Sequence, residues 1–197
     1  MKVMLTSCGI ETDTIKACFL EMLGKAPADA KALFIPTAAI DADAIDVLPK
    51  CMEDLLKCGI PKEQIQVFDL HRSMQIQELN AFDVIYFCGG RTSYLLERIN
   101  QSGFRDALLS YIQNDGLVLG VSAGSLIFAN NLPENLGLLA ARLSVHCEKS
   151  SITGPVPVPL PESIALSNRA AMLLRGIPDD VKIVDDEMDE NVNGSNK

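Results

Sequence analysis

Apolar positions follow two alternating rhythms along this chain. Short, nearly continuous apolar runs at residues 2–7 (KVMLTS), 32–36 (ALFIP), 64–70, 84–87 (VIYF) and 117–121 (LVLGV) read as buried strands. Helical spacing separates them. Residues 11–23 form one amphipathic pattern. Residues 43–57 form a second, with apolar positions at Ile45, Leu48, Met52, Leu55 and Leu56 and a stop at Gly59. Residues 92–100 and 104–114 read as two helices divided by Ser102-Gly103, and LIFAN after the last strand reads as a buried helix. Strands alternating with helices predict a mainly parallel sheet covered on both faces, a three-layer α/β/α sandwich.

Beyond residue 130 the rhythm changes. Pro133 and Gly137 mark loops, and residues 153–161 carry four prolines, which resist helix formation. Residues 164–166, 171–174 and 181–184 read as short strands of a meander. Residues 186–197 are acidic, polar and rich in Asn, which predicts a disordered tail behind one domain spanning 1–185.

Composition narrows the function more than the fold. With 197 residues, 48% of them hydrophobic, the chain is expected to bury one sizeable core. A formal net charge of −9 argues against nucleic acid and anionic membranes as partners but does not identify a substrate. The six cysteines, at 8, 18, 51, 58, 88 and 147, form no Cys-x-x-Cys pair, so no metal or cofactor is expected. The opening MKVMLTS leads straight into a strand, and no apolar run reaches membrane-spanning length. The expectation is a cytoplasmic protein with free thiols and no disulfides.

The chemistry-bearing motif is Gly120-Val121-Ser122-Ala123-Gly124. A Gly-x-Ser-x-Gly run between an apolar strand and an apolar helix is the context of a nucleophile elbow. Small neighbours permit the sharp turn, and the following helix start offers free N–H groups to a developing oxyanion. The same glycines would equally serve plain helix–strand packing. A serine nucleophile needs a base, and the histidines are His71 and His146, with a lysine as the other option. Gly89-Gly90-Arg91-Thr92 ends the fourth strand. It reads either as a second source of oxyanion amides or as a helix start capped by Thr92.

Three blocks in order, CGGRTSYLL, GVSAGS and NLGLLAARLSVH, together with FIPTA near the second strand, resemble the peptidase E (aspartyl dipeptidase) family of serine peptidases over roughly residues 1–185. The resemblance implies a flavodoxin-like fold similar to class I glutamine amidotransferases, with serine replacing the usual cysteine. It implies Ser122 as nucleophile, His146 as base, and the Gly90 and Ala123 amides as oxyanion hole, and it leaves His71 without a role. The family's acid is matched here by Asn168, after IALS, or in a competing register by Glu162 in LPE. An asparagine orients a histidine but stabilises imidazolium less than a carboxylate does. Residues 148–161 are too short and proline-rich for the family's substrate-binding helix, so specificity for an N-terminal aspartate does not carry over. Arg91, Arg142 and Lys149 are anion contacts or solvated charges. The expected activity is hydrolysis of a short peptide or related amide. The alternatives are a cyanophycinase-like amide hydrolase and a catalytically weak or inactive relative acting as a binding or regulatory protein.

Overall fold

The computed structural model describes residues 1–176 and 180–186. Five parallel strands form the heart of the molecule: β1 (Lys2–Thr6), β2 (Ala32–Ile35), β3 (Ile65–Val67), β4 (Val84–Phe87) and β5 (Leu117–Val121). Two more strands, β6 (Arg142–Cys147) and β8 (Ser163–Ser167), pair in parallel as a separate small sheet. The short β7 (Gly154–Pro155) joins β9 (Ala170–Arg175) and β10 (Asp180–Asp185) as an antiparallel extension of the main sheet. The eight-stranded sheet therefore runs β3-β2-β4-β5-β1-β9-β10-β7 and is mostly parallel.

Helices cover both faces, which is why the central strands are apolar without alternation. Every residue of β2, β4 and β5 is buried. On one face α1 (Asp13–Leu23) and α3 (Leu48–Lys57) pack Ile15, Phe19 and Leu55 against Met4, Phe34, Tyr86 and Leu119. The short α2 (Ala42–Asp46) precedes α3. On the other face α4 (Ile76–Leu79), α5 (Thr92–Gln101), α6 (Phe104–Gln113) and α7 (Ala123–Leu126) cover Val3, Leu5, Ile85, Phe87 and Val118. This is the three-layer sandwich that the periodicity predicts, with the flavodoxin-like fold that the family resemblance implies.

Local departures have local causes. The helix expected over 43–57 breaks at Val47, because Pro49 cannot donate to the preceding turn. The break turns Ile45 out to 49% exposure, and Leu56 is also exposed, so Cys51, Asp54 and Leu55 form the buried face instead. The strand expected over 64–70 shortens to three residues at the sheet edge. LIFAN is buried, but helix persists only to Leu126. Leu136 and Leu139 then donate to the Ile127 and Phe128 carbonyls, turning the chain away. The expected meander is realised only by β9 and β10, since β8 leaves to pair with β6. Asp185 closes β10 and is buried, and Asp186 donates its N–H to the Arg169 carbonyl at 3.4 Å; the rest of the expected disordered tail, residues 187–197, lies outside the described residues. Among the described residues no helix is long and apolar enough to cross a membrane.

Candidate active site

The carboxyl ends of β1, β4 and β5 converge, as ligand sites do in parallel sheets. At the end of β5, Ser122 takes φ 50° and ψ −112°, a conformation that costs a non-glycine residue roughly 1–3 kcal/mol. Its N–H donates to the Thr6 carbonyl at 3.0 Å. The two flanking glycines are steric necessities. A Cβ on Gly120 would stand 2.4 Å from the Gly124 carbonyl oxygen, and one on Gly124 would stand 2.4 Å from that of Phe87. Below the turn, the buried Ser125 hydroxyl lies 2.8 Å from both the Thr6 and the Gly120 carbonyls, tying β1 to β5. Packing and elbow thus use the same glycines.

His146 reaches this serine from outside the main sheet. Its Nε2 lies 2.9 Å from Ser122 Oγ, and its Nδ1 lies 3.1 Å from Asn168 Oδ1. A bulge between Ser144 and Cys147 gives His146 a φ of 58° and turns its ring toward β5. Ser7, fully buried, holds the bulge: it accepts the His146 N–H at 3.2 Å and donates its hydroxyl to the Leu166 carbonyl at 3.1 Å.

Asn168 sits in the turn between β8 and β9. That turn is fixed by buried Ser167, whose hydroxyl donates to Asp185 Oδ1 at 3.0 Å and accepts the Arg169 N–H at 3.2 Å. Of the two registers for the third member, the geometry brings Asn168 to the histidine. Glu162 is exposed at the opposite end of β8, where its carbonyl accepts from Arg142 N–H at 2.8 Å.

The glycine turn after β4 runs alongside. A Cβ on Gly89 would come 3.2 Å from that of Ser122. Gly90, at φ 136°, packs so tightly on Ala38 that a Cβ there would meet its carbonyl oxygen at 2.1 Å. The Gly90 and Ala123 amides have no protein acceptor among the described residues. The cap position of α5 is Arg91 rather than Thr92, which is the helix's first residue. Arg91 is engaged with Asp41 at 2.7 Å, while Arg142 and Lys149 are exposed. His71 is exposed after β3, its N–H on Asp69.

Sequence reasoning missed Ser7, Cys8 and Asp54. Cys8 lies 3.2 Å from Asn168 Oδ1 and 3.5 Å from His146 Nδ1, and partial burial raises its pKa. Asp54 anchors the loop that follows, accepting from Ile10 N–H at 3.1 Å and the Tyr86 hydroxyl at 2.6 Å. Burial pushes its carboxyl above the usual aspartate range. The polar end of the first strand, Thr6-Ser7-Cys8, was the available signal for two of these. All six cysteines are free thiols, and no group of metal-binding side chains occurs among the described residues.

The sequence profile of peptidase family S51 matches residues 3–136, a span that contains both the glycine turn and the elbow. The chain belongs to peptidase family S51. Its membership agrees with the peptidase E resemblance read from the three motif blocks. His146 and Asn168 lie beyond the matched span. Among solved structures, a candidate peptidase E from Listeria monocytogenes EGD-e superposes with a TM-score of 0.72 at 20% identity, covering 93% of this chain and 98% of that one. A peptidase from an acI-B1 Actinobacterium gives a TM-score of 0.65 at 18% identity, covering 94% and 87%. At these identities the likeness is one of fold. No curated protein matches the chain.

Proposed function

We propose that this S51 family member is a serine-type peptidase that cleaves short peptides, dipeptides among them, or related amides through an acyl-enzyme on Ser122. The observation that carries the reading is the 2.9 Å approach of His146 Nε2 to the hydroxyl of a serine held in a strained elbow. His146 takes the Ser122 proton as the oxygen attacks the scissile carbonyl, then gives it to the departing amine. Water, activated by the same imidazole, releases the acyl group. The Ala123 amide follows the serine and that of Gly90 follows Gly89, which lies beside it; without a protein acceptor among the described residues, the two are the donors for the oxyanion. Asn168 Oδ1 accepts from Nδ1–H and holds the ring. Free thiols throughout fit a reducing, cytoplasmic setting.

One observation favours a second reading. Asn168 stands where a carboxylate would stabilise the imidazolium, as expected of a slow enzyme or of a relative that binds peptides without cleaving them. A fluorophosphonate probe separates the two. Modification of the tryptic peptide containing Ser122, absent after Ser122→Ala, supports the peptidase. An unmodified peptide in the intact protein overturns it.

A further inference from the structure

An asparagine beside a catalytic histidine has two unlike ends. If its NH₂ faced Nδ1, that nitrogen would have to be the unprotonated acceptor. Nε2 would then carry the proton and could only donate to the serine oxygen, not take its proton. In a serine triad that wrong tautomer costs about 10⁴-fold in turnover. A carboxylate has no such wrong end, because either oxygen accepts. A chain with Asn168 in this place therefore needs something to choose the amide's orientation.

Cys8 supplies the choice. Its Sγ lies 3.2 Å from Asn168 Oδ1, within reach of a thiol donor, and it extends from the end of β1 directly beside the ring. Asn168 itself is exposed in the turn between β8 and β9, and among the described residues Cys8 and His146 are its side-chain hydrogen-bond partners. Burial holds Cys8 protonated, so it is a donor and not an anion. Donation to Nδ1 is the poorer use of that proton. It would strip Nδ1 of its own hydrogen and set its lone pair against Oδ1 at 3.1 Å. With S–H given to Oδ1, the same oxygen also accepts Nδ1–H, and Nε2 is left as the acceptor for Ser122 Oγ–H.

We propose that Cys8 is a positioning residue: its thiol pins Asn168 with Oδ1 toward His146 and thereby selects the Nδ1–H tautomer on which the proposed serine chemistry depends. The inference rests on that reading for its catalytic consequence but not for its tautomer, and this makes the two separable.

The test is a matched set: the parent, Cys8→Ala, Cys8→Ser, Asn168→Asp and the double variant Cys8→Ala/Asn168→Asp. Long-range proton–nitrogen NMR on nitrogen-15-labelled protein reads the tautomer, with His71→Gln assigning the second histidine. The rate of Ser122 modification by a fluorophosphonate reads reactivity. The parent is expected as Nδ1–H. Cys8→Ala should populate Nε2–H and slow modification at least about tenfold, part of the full wrong-tautomer penalty. Cys8→Ser, which keeps a donor, should restore both. In the Asn168→Asp background, Cys8→Ala should change the rate less than about twofold, because a carboxylate needs no orienting. A tautomer unmoved by Cys8→Ala, or an equal slowing in both backgrounds, overturns the proposal. A tautomer that responds as described in a protein that no fluorophosphonate modifies supports the role of Cys8 and overturns the peptidase reading.

Discussion

The two halves of the candidate site are built on different principles. Ser122 is positioned by backbone: three parallel strands end around it, two glycines interlock at contacts too close for any Cβ, and its strain is held by the sheet itself. His146, on a two-stranded sheet outside the main one, and Asn168, in the turn that follows it, are positioned by small polar side chains. Ser7, Ser167 and Cys8 carry them. The first half is over-determined, so its failure is steric and global. The second is held by single hydrogen bonds, each of net value about 0.5–1.5 kcal/mol, so its failure is local and graded.

Substitutions expose that contrast, beginning with the largest effect. Ser122→Ala should abolish turnover, by about 10⁴-fold or more where a triad operates, while leaving the denaturation midpoint near the parent's. Ser122→Gly should be equally inactive yet more stable, because φ 50° is unstrained for glycine. A Ser122→Gly protein that melts earlier than the parent would refute stored strain at the elbow.

The elbow's scaffold comes next. Gly124→Ala drives a methyl group to 2.4 Å from the Phe87 carbonyl, which should cost about 3 kcal/mol or more in chemical denaturation. An alanine accommodated there for less than about 1 kcal/mol would break the comparison, since the backbone would then yield as easily as the arm.

On the arm, Ser7→Ala removes one hydroxyl beneath the bulge of His146. Stability should fall by only about 1–2 kcal/mol, with the loss of turnover falling on kcat rather than KM. An effect confined to KM would assign Ser7 to substrate contact instead.

The smallest effect is electrostatic. Asp54 has a carboxyl pKa raised by burial, so the folded state binds its proton more tightly than the unfolded chain. Stability contributed by the protonated form is therefore present at acid pH and lost as pH rises through the folded value. Asp54→Asn keeps an oxygen to accept from Ile10 N–H and Tyr86 hydroxyl while removing the charge. Its advantage over the parent in thermal unfolding should grow from pH 4 to pH 7. An advantage that shrinks over that range would reverse the sign.

The same division governs how much the residues disclosed. The parallel core was legible because burial on both faces leaves uninterrupted apolar runs such as VIYF and LVLGV. The elbow was legible because its geometry demands glycine at fixed offsets from the serine. β6 was harder, since RLSVHC alternates only weakly in burial and its bulge hides the register. The break at Val47 was written in Pro49 but outweighed by a convincing apolar spacing. Asn168 against Glu162 is a choice between two turns about one strand length apart, and only pairing with β6 decides it. Asp54 leaves no pattern at all, and Ser7 and Cys8 only the polar end of the first strand, because each acts through a neighbour more than 30 residues away.

The strand order carries a consequence for timing. β1, first in the chain, lies between β5 and β9, and Asp185 at the end of β10 fastens the turn that bears Asn168. Ser7 and Cys8, which hold the segments bearing His146 and Asn168, reach them across more than a hundred residues. Contacts of that separation form late, after the loop-closure entropy of nearly the whole chain has been overcome. The site to which we assign the proposed hydrolysis is therefore complete only once β9 and β10 have docked.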